Sequence, residues 1–462
     1  MPIRSDDPSP ISCGPNILDI QETAKYTPRH KKEVLINSIN YMRLNNYKEY
    51  FKSKKILFEN FLSLSFYQAA NYLMPIFAYP YIIRVIGNEN FGLLMFALAF
   101  VQYLMMFIDF GFDYTATREV SIHRNNSAKI KEIFKSIFII KFFLLLISIL
   151  ILIVCIFTIP KISNNYLVFI FTFIMAIGQL LFPIWYYQGI EKMKYMAIIN
   201  LIFKTTGIIL IFVFIKNKEQ TNLVPLIISL SYLVSGITAF IVAVIKIKPD
   251  RSIPDFKTIQ SYFKQSLDVF ITNVGTSLYT TATPLILGFI ANNIAVSYFT
   301  LAEKTVRGIR YLVSPITQAI FPAFSKKFSE QDKKDSISNL KKFTILLFPL
   351  TLVMALCVIV FAPLLSKILT GNYIYEVIRN LRIASSIIVI GTLNNVLGII
   401  GMINLKMEKY LKKYIIIGGL CNIILGITLS YQFKDLGAVL SVVTSETLIF
   451  ILIYLHLKRS EK

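Results

Sequence analysis

The sequence predicts an all-α polytopic membrane protein with about twelve transmembrane helices in two six-helix lobes. Of its 462 residues, 55% are apolar and only 16% are charged, and the mean hydropathy is +0.61. A soluble chain of this length would need far more polar residues to cover its core. The apolar residues are also gathered into runs, each long enough to cross a bilayer at about 1.5 Å per residue.

Predicted spans 1 to 12 follow these apolar runs in chain order. Each is predicted to be helical, because backbone groups inside a bilayer must find hydrogen bonds within their own segment. The spans cover residues 57–84, 91–115, 134–158, 166–188, 195–215, 223–245, 266–290, 294–323, 341–369, 379–403, 412–431 and 435–457.

The net charge is +22, and the distribution of Lys and Arg between the loops predicts the orientation of the spans. With the N terminus in the cytoplasm, about 29 Lys and Arg residues lie near inner span ends and about six near outer ends. Positive charge concentrates on the cytoplasmic side of membrane proteins, so both termini are predicted to be cytoplasmic. The same rule explains the basic composition without a nucleic-acid partner.

The spans divide into two equal halves around one long basic loop. In that loop Phe256, Ile259, Tyr262 and Phe263 follow helical spacing, which predicts a short interfacial helix. The segment before span 1 is polar and proline-rich, and we predict that it is disordered. The predicted organisation is a cytoplasmic extension (1–55), an N-lobe (56–245), a linker (246–265), a C-lobe (266–457) and a cytoplasmic tail (458–462).

Catalytic and metal chemistry are not predicted. The four cysteines and three histidines are scattered along the chain, which favours neither a disulfide framework nor a metal site. The loops carry no Walker, glycine-rich phosphate-binding or paired catalytic motif. We therefore predict no catalytic residue, no metal and no cofactor, and leave coupling to H⁺ or Na⁺ open.

Charges at membrane depth are the informative feature, because each costs free energy there unless it is paired or wetted. In span 8, Glu303, Arg307, Arg310 and Lys304 fall at about 0°, 40°, −20° and 100° around the helix, within one arc of about 120°. This stripe predicts a cationic, water-filled cavity for an anionic substrate, whose phosphate oxygens Arg can hold bidentately. The alternative is that ion pairs, such as Glu303 with Arg307, only lock helices together.

Other charges in or near the spans complete the predicted site. Lys141, Lys204 and Glu446 lie at depth, whereas Arg84, Asp109, Asp113 and Asp268 lie near span ends. For Asp113 we favour snorkelling or pairing at the helix end; for Arg84, Asp109 and Asp268 both interpretations stay open. The predicted substrate-binding residues are Arg307, Arg310, Lys304, Lys204, Arg84 and Lys141. The predicted coupling or gating residues are Glu303, Glu446, Asp109 and Asp268.

Several segments resemble Wzx-type polysaccharide flippases, members of the MATE-like exporter superfamily. The resemblance extends over about residues 57 to 457 and is carried by short motifs. These are Asn71 to Gly87, Phe91-Gly92, Asp109 to Phe112 with Thr117-Arg118, Pro183 to Lys194, Ala302 to Lys304 with Pro315 and Phe321-Pro322, Leu369 to Tyr373, and Asp435 to Ala438. The polar segment at the start of the chain departs from the short beginning usual in that family.

The resemblance implies a flippase, not an enzyme. It implies that undecaprenyl-pyrophosphate-linked oligosaccharide moves from the cytoplasmic to the periplasmic leaflet of the bacterial inner membrane. That step would serve the synthesis of O-antigen of lipopolysaccharide or of a related glycan. It also implies membrane lipids as partners, with a polysaccharide polymerase and a chain-length regulator as further candidates. The cationic stripe suits a pyrophosphate headgroup.

Three other functions are weighed against this one. A drug or cation antiporter of the same fold is disfavoured by a cationic cavity. A membrane glycan polymerase or glycosyltransferase would be expected to show a large exoplasmic loop or an acidic catalytic motif, and the sequence shows neither. A structural scaffold would not need buried positive charge. The sequence does not specify the sugars, the coupling ion or the oligomeric state.

Overall fold

The computed structural model describes residues 76–250, 252–314 and 333–460, together with Glu59, Tyr67, Ile316, Thr317, Ile320, Phe324 and Phe328. The predicted extension (1–55) lies outside the described residues, as do most of the first half of span 1 and part of span 8. Helices account for nearly all of the described chain, and no β-strand occurs in it. The predicted all-α membrane fold is thus confirmed.

The helices are numbered in chain order. The first two share one helical run (76–109) and are divided at Gly87, whose φ is left-handed. The helices are α1 (76–86), α2 (88–109), α3 (Phe112–Ile122), α4 (Ser127–Thr158), α5 (Pro160–Ser163), α6 (Tyr166–Leu181), α7 (Ile184–Gly189), α8 (Met193–Phe214), α9 (Leu223–Ile247), α10 (Phe256–Thr280), α11 (Ala282–Ile290), α12 (Asn293–Tyr311), α13 (Lys333–Thr370), α14 (Tyr375–Ala384), α15 (Ser386–Asn394), α16 (Glu408–Phe433) and α17 (Asp435–Arg459). A 3₁₀ turn (Lys218–Asn222) precedes α9, and a π-helix (Asn395–Ile403) continues α15.

Within the described ranges, nine segments are long and apolar enough to cross a membrane. They correspond to predicted spans 1 and 2 taken together and to spans 3 to 6 and 9 to 12. Span 7 begins among polar residues and is interrupted at Thr281, and the described part of span 8 carries four charges. Neither therefore counts as a long apolar helix, although both are helical.

The chain reverses direction between α1 and α2 at Gly87. Its φ of +83° is left-handed, a conformation that glycine adopts without strain. The rings of Tyr79 and Phe91 lie 5.3 Å apart, whereas twelve residues of straight helix would separate them by about 18 Å. These helices therefore form a hairpin.

The linker between the predicted lobes differs from its prediction. Phe256, Ile259, Tyr262 and Phe263 do not form a separate short helix but the first turns of α10, which continues to Thr280. No proline interrupts this stretch, so helical hydrogen bonding continues into span 7. The loop before α10 is held by Lys135, whose ammonium group donates to Asp250 and Ser252. The bond from Lys135, with a second from Ser252, lowers the pKa of Asp250 to about 2.

Buried side chains form three hydrophobic clusters, and their distribution indicates which side of the molecule is closed. One cluster lies toward the predicted outer ends and joins both halves, with Phe96 of α2 packing edge-on against Phe289 of α11. Toward the predicted cytoplasmic ends, one cluster around Trp185 combines helices of the first half with the beginning of α10, and a separate cluster around Leu340 belongs to the second half. A cleft therefore separates the halves on that side except along α10, where Phe110, directly after α2, stacks on Phe263 and Phe270.

Candidate functional site

Two large cavities adjoin in this cleft. Cavity A has a volume of about 550 Å³ and is lined by α2, α10, α12, α15, the π-helix, α16 and α17. Cavity B has a volume of about 690 Å³ and is lined mainly by α2, α3 and α6 to α10. They share Gln102, Met106, Ser277 and Thr280. Each volume falls within the range of about 300–1,000 Å³ that is typical of ligand pockets.

The charged stripe of span 8 faces cavity A. Glu303, Lys304, Arg307 and Arg310 of α12 all line it, and Glu446 of α17 lines it from another wall. The helical spacing therefore places these four side chains together as predicted. Glu446 adds a second carboxylate, so the formal charge of the lining is +1, whereas the stripe alone carries +2.

Ion pairs neutralise part of this charge. The Arg307 Nε atom lies 2.6 Å from Glu303 Oε1, one helical turn away. Arg310 Nη1 lies 3.9 Å from Glu446 Oε1, and Glu446 Oε2 accepts a 2.7 Å hydrogen bond from Asn394. The structural alternative considered above, a Glu303–Arg307 pair within one helix, is thus present, but it involves only one of the three cations closely.

Lys304 and Arg310 are the cations most available to a ligand. Among the described residues, Lys304 has no carboxylate within 4.0 Å of its ammonium group. The Glu446 carboxylate lies 3.9 Å from Arg310, at the outer limit of a salt bridge. Within the described part of the chain, the buried Nη2 atom of Arg307 has no hydrogen-bond partner, and neither has Glu303 Oε2. Such groups cost free energy unless water or a ligand satisfies them. Cavity A is therefore suited to binding an anion.

Lys204 lies on the opposite side of the cleft from Arg310. Its ammonium group donates a 2.8 Å hydrogen bond to the Tyr232 hydroxyl and lies 4.5 Å from the centre of that ring. Lys204 lines cavity B and also a smaller cavity of about 220 Å³, which Lys304 lines as well. The structure therefore places these two lysines around one apolar recess.

Lys141 is not placed as a substrate-binding residue. It is buried and forms a 2.6 Å salt bridge with Asp109, which joins α4 to α2. Asp109 and Asp113 line cavity B, whereas Lys141 lies behind them and lines none of the cavities described here. The role that this geometry supports for Lys141 is neutralisation of a partly buried carboxylate that faces cavity B.

Arg84 and Asp268 also lie away from the anion-binding cavity. The exposed guanidinium of Arg84 donates to the backbone carbonyls of Lys367 (3.3 Å) and Ile368 (2.5 Å). These carbonyls belong to the last turn of α13, where cations are favoured. Arg84 therefore caps a helix at the predicted outer side. Asp268 is exposed on α10 and lines neither cavity A nor cavity B.

Uncharged polar residues in the cleft were not among the predicted site residues. Gln102 lines both large cavities and the small one, and its side chain is exposed within the cleft. Asn394 orients Glu446. A carboxamide in the middle of an apolar span was the available signal, but the same residue types commonly join helices inside membranes.

This architecture is that of a multi-pass helical membrane protein with a charged internal cavity. The fold is similar to that of the lipid II flippase MurJ in an inward closed conformation, with a TM-score of 0.67, 14% identity, and 85% of this chain and 87% of that chain covered. An inward-facing multidrug resistance MATE family transporter of the MOP superfamily has a TM-score of 0.61 at 12% identity, covering 86% and 98%. Both likenesses concern the fold alone.

Sequence comparison gives the family. The chain belongs to the polysaccharide biosynthesis protein family, whose model matches residues 57–328. A relative from Escherichia coli (strain K12) is named "Putative O-antigen transporter" and is 30% identical over 410 residues, which is 88% of this chain and 98% of the relative.

Proposed function

We propose that this protein is a flippase that moves undecaprenyl-pyrophosphate-linked oligosaccharide across the bacterial inner membrane for O-antigen or related polysaccharide synthesis. The observation that carries the proposal is cavity A, in which Lys304 and Arg310 face a polar cleft between two halves of a membrane protein. The family, and the names of the relative and of the lipid II flippase, support the same function.

The cavity's charge explains why the substrate is an anion. A pyrophosphate carries several oxygens that Arg and Lys hold by charge-assisted hydrogen bonds. An excess of positive charge inside a low-dielectric cleft repels cationic drugs and attracts the headgroup. The polyprenyl tail stays in the bilayer, so only the headgroup and glycan have to cross.

Transport follows from alternating which end of the cleft is open. In this structure the shared outer cluster joins the two halves at one end, whereas at the other end they meet along α10. Release on the opposite side requires the outer cluster to separate. Glu303 is the residue best placed to neutralise Arg307 while the cavity is empty, because the pair is 2.6 Å apart. Coupling of this exchange to H⁺ or Na⁺, and contact with a polymerase or chain-length regulator, belong to the same proposal.

Deletion of the gene tests this function. We expect lipid-linked repeat units to accumulate on the cytoplasmic leaflet, because their synthesis continues while their transfer stops. The measurement is glycosidase digestion of lipid-linked oligosaccharide in sealed vesicles of known orientation. In right-side-out vesicles from the deletion strain, the glycan should be fully protected from external glycosidase. This protection should disappear on complementation. Accumulation of single repeat units on the periplasmic face would instead identify a polymerase and contradict the proposal.

A further inference from the structure

We infer that cavity B is a glycan subsite, in which neutral amide and hydroxyl side chains hold the sugars while cavity A holds the pyrophosphate. This inference rests on the proposed function and deepens it, since it assigns the two chemical parts of the substrate to different walls of the cleft. The two cavities adjoin at Gln102, Met106, Ser277 and Thr280. One elongated headgroup can therefore occupy both.

The two cavities differ in the charge of the side chains that line them. Cavity A is lined by three cations, Lys304, Arg307 and Arg310, against two carboxylates. Cavity B has one cation, Lys204, together with Asp109 and Asp113. Lys141 neutralises Asp109 from behind, which leaves no positive excess facing cavity B. An anion is therefore favoured in cavity A, and cavity B is left for an uncharged group.

The polar lining of cavity B is rich in carboxamides. Five amide side chains line it: Gln102, Gln179, Gln188, Asn200 and Asn273. Each amide offers donors and an acceptor, and a sugar hydroxyl likewise donates and accepts. A ring carrying several hydroxyls can thus be held by this wall without any charge.

Two buried polar atoms in that wall lack a hydrogen-bond partner within the described part of the chain. Asn200 is 6% exposed and Ser235 is 5% exposed. Among the residues that the structure describes, Asn200 Oδ1 and Ser235 Oγ have no hydrogen-bond partner, although both residues line cavity B. A buried polar atom is stable only when water or a ligand satisfies it. These atoms are available to bind hydroxyl groups of a glycan.

The test compares two lipid probes on the purified full-length protein in nanodiscs. One probe is undecaprenyl pyrophosphate without sugar, and the other is the undecaprenyl-pyrophosphate-linked oligosaccharide extracted from the parent strain. Asn200→Ala should weaken binding of the glycosylated lipid about fivefold, the worth of one neutral hydrogen bond, and leave binding of the bare lipid unchanged. Asn273→Ala, in α10, should act in the same direction.

Two further variants complete the test. Arg310→Ala should weaken binding of both lipids about tenfold or more, because charge-assisted hydrogen bonds are stronger. Thr206→Ala, on the same helix as Asn200, should change neither, because Thr206 is exposed and its hydroxyl donates to the Ile202 carbonyl of the same helix. Unchanged binding of the bare lipid also shows that Asn200→Ala is folded.

The outcomes separate the two ideas. Equal losses for both lipids in Asn200→Ala and Asn273→Ala, or no loss in either variant, would overturn the glycan subsite while the flippase proposal stands. Failure of the wild-type protein to bind either lipid would overturn the proposed function and the subsite with it.

Discussion

Simultaneous replacement of Lys304 and Arg310 by alanine is expected to reduce export of surface polysaccharide more than about 100-fold, because two charge-assisted hydrogen bonds to the substrate are lost. Both side chains line cavity A, and neither is closely paired with a carboxylate among the described residues. Their removal should therefore affect the substrate more than the fold. The measurement is surface polysaccharide in a deletion strain that expresses the variant, normalised to protein in the membrane.

Two comparisons sharpen this result. Arg310→Lys should restore only part of the activity lost in Arg310→Ala, because the bidentate guanidinium is absent. Arg382→Ala, which removes an exposed arginine of α14 that lines neither large cavity, should leave export unchanged. Normal export by the Lys304→Ala, Arg310→Ala double variant would show that these charges are structural.

Arg307 is less suitable for this purpose, although the sequence draws equal attention to it. Its alanine variant would leave Glu303 buried without its 2.6 Å partner. Breaking a buried pair from one side destabilises proteins by about 3–5 kcal/mol. A loss of transport in Arg307→Ala would therefore combine an effect on substrate with an effect on the fold.

Lys141→Met is expected to lower the free energy of unfolding by about 1–3 kcal/mol, because it leaves the partly buried Asp109 carboxylate without its partner. Lys141 is among the largest fully buried side chains of the described chain. Combining Lys141→Met with Asp109→Asn removes both charges and should recover most of the lost stability. Thermal unfolding of the purified variants in detergent measures both effects.

A matched control distinguishes this role from substrate binding. Lys194→Met, at an exposed position near the start of α8, should unfold at the same temperature as the wild type. If Lys141→Met is as stable as the wild type but fails to transport, Lys141 binds substrate, and the interpretation of the Asp109 pair as structural is wrong.

The parts of this fold that the sequence predicts are those that depend on local periodicity. Apolar runs predict the helices, and the spacing of Glu303, Lys304, Arg307 and Arg310 predicts that they share one face. Both follow from 3.6 residues per turn. The interfacial helix is an instructive error, since the same periodicity cannot reveal that α10 continues without a break from Phe256 to Thr280.

Local periodicity does not predict which side chains pair across different helices. Arg84 and Arg310 look alike in sequence, yet one caps α13 and the other faces cavity A. The difference depends on residues hundreds of positions away. For the same reason Lys141 is predicted as a ligand although it is paired with Asp109. Amides such as Asn200 are equally ambiguous, because lining a cavity and joining two helices use the same chemistry.

The most direct test of the flippase proposal is translocation by the purified protein alone. The protein is reconstituted into liposomes that contain undecaprenyl-pyrophosphate-linked oligosaccharide, and the fraction of glycan accessible to an external glycosidase is followed over time. We predict that wild-type protein makes the inner-leaflet glycan accessible, whereas the Lys304→Ala, Arg310→Ala double variant behaves like empty liposomes. Accessibility in wild-type vesicles no greater than in protein-free vesicles, under every H⁺ or Na⁺ gradient applied, would contradict the proposal.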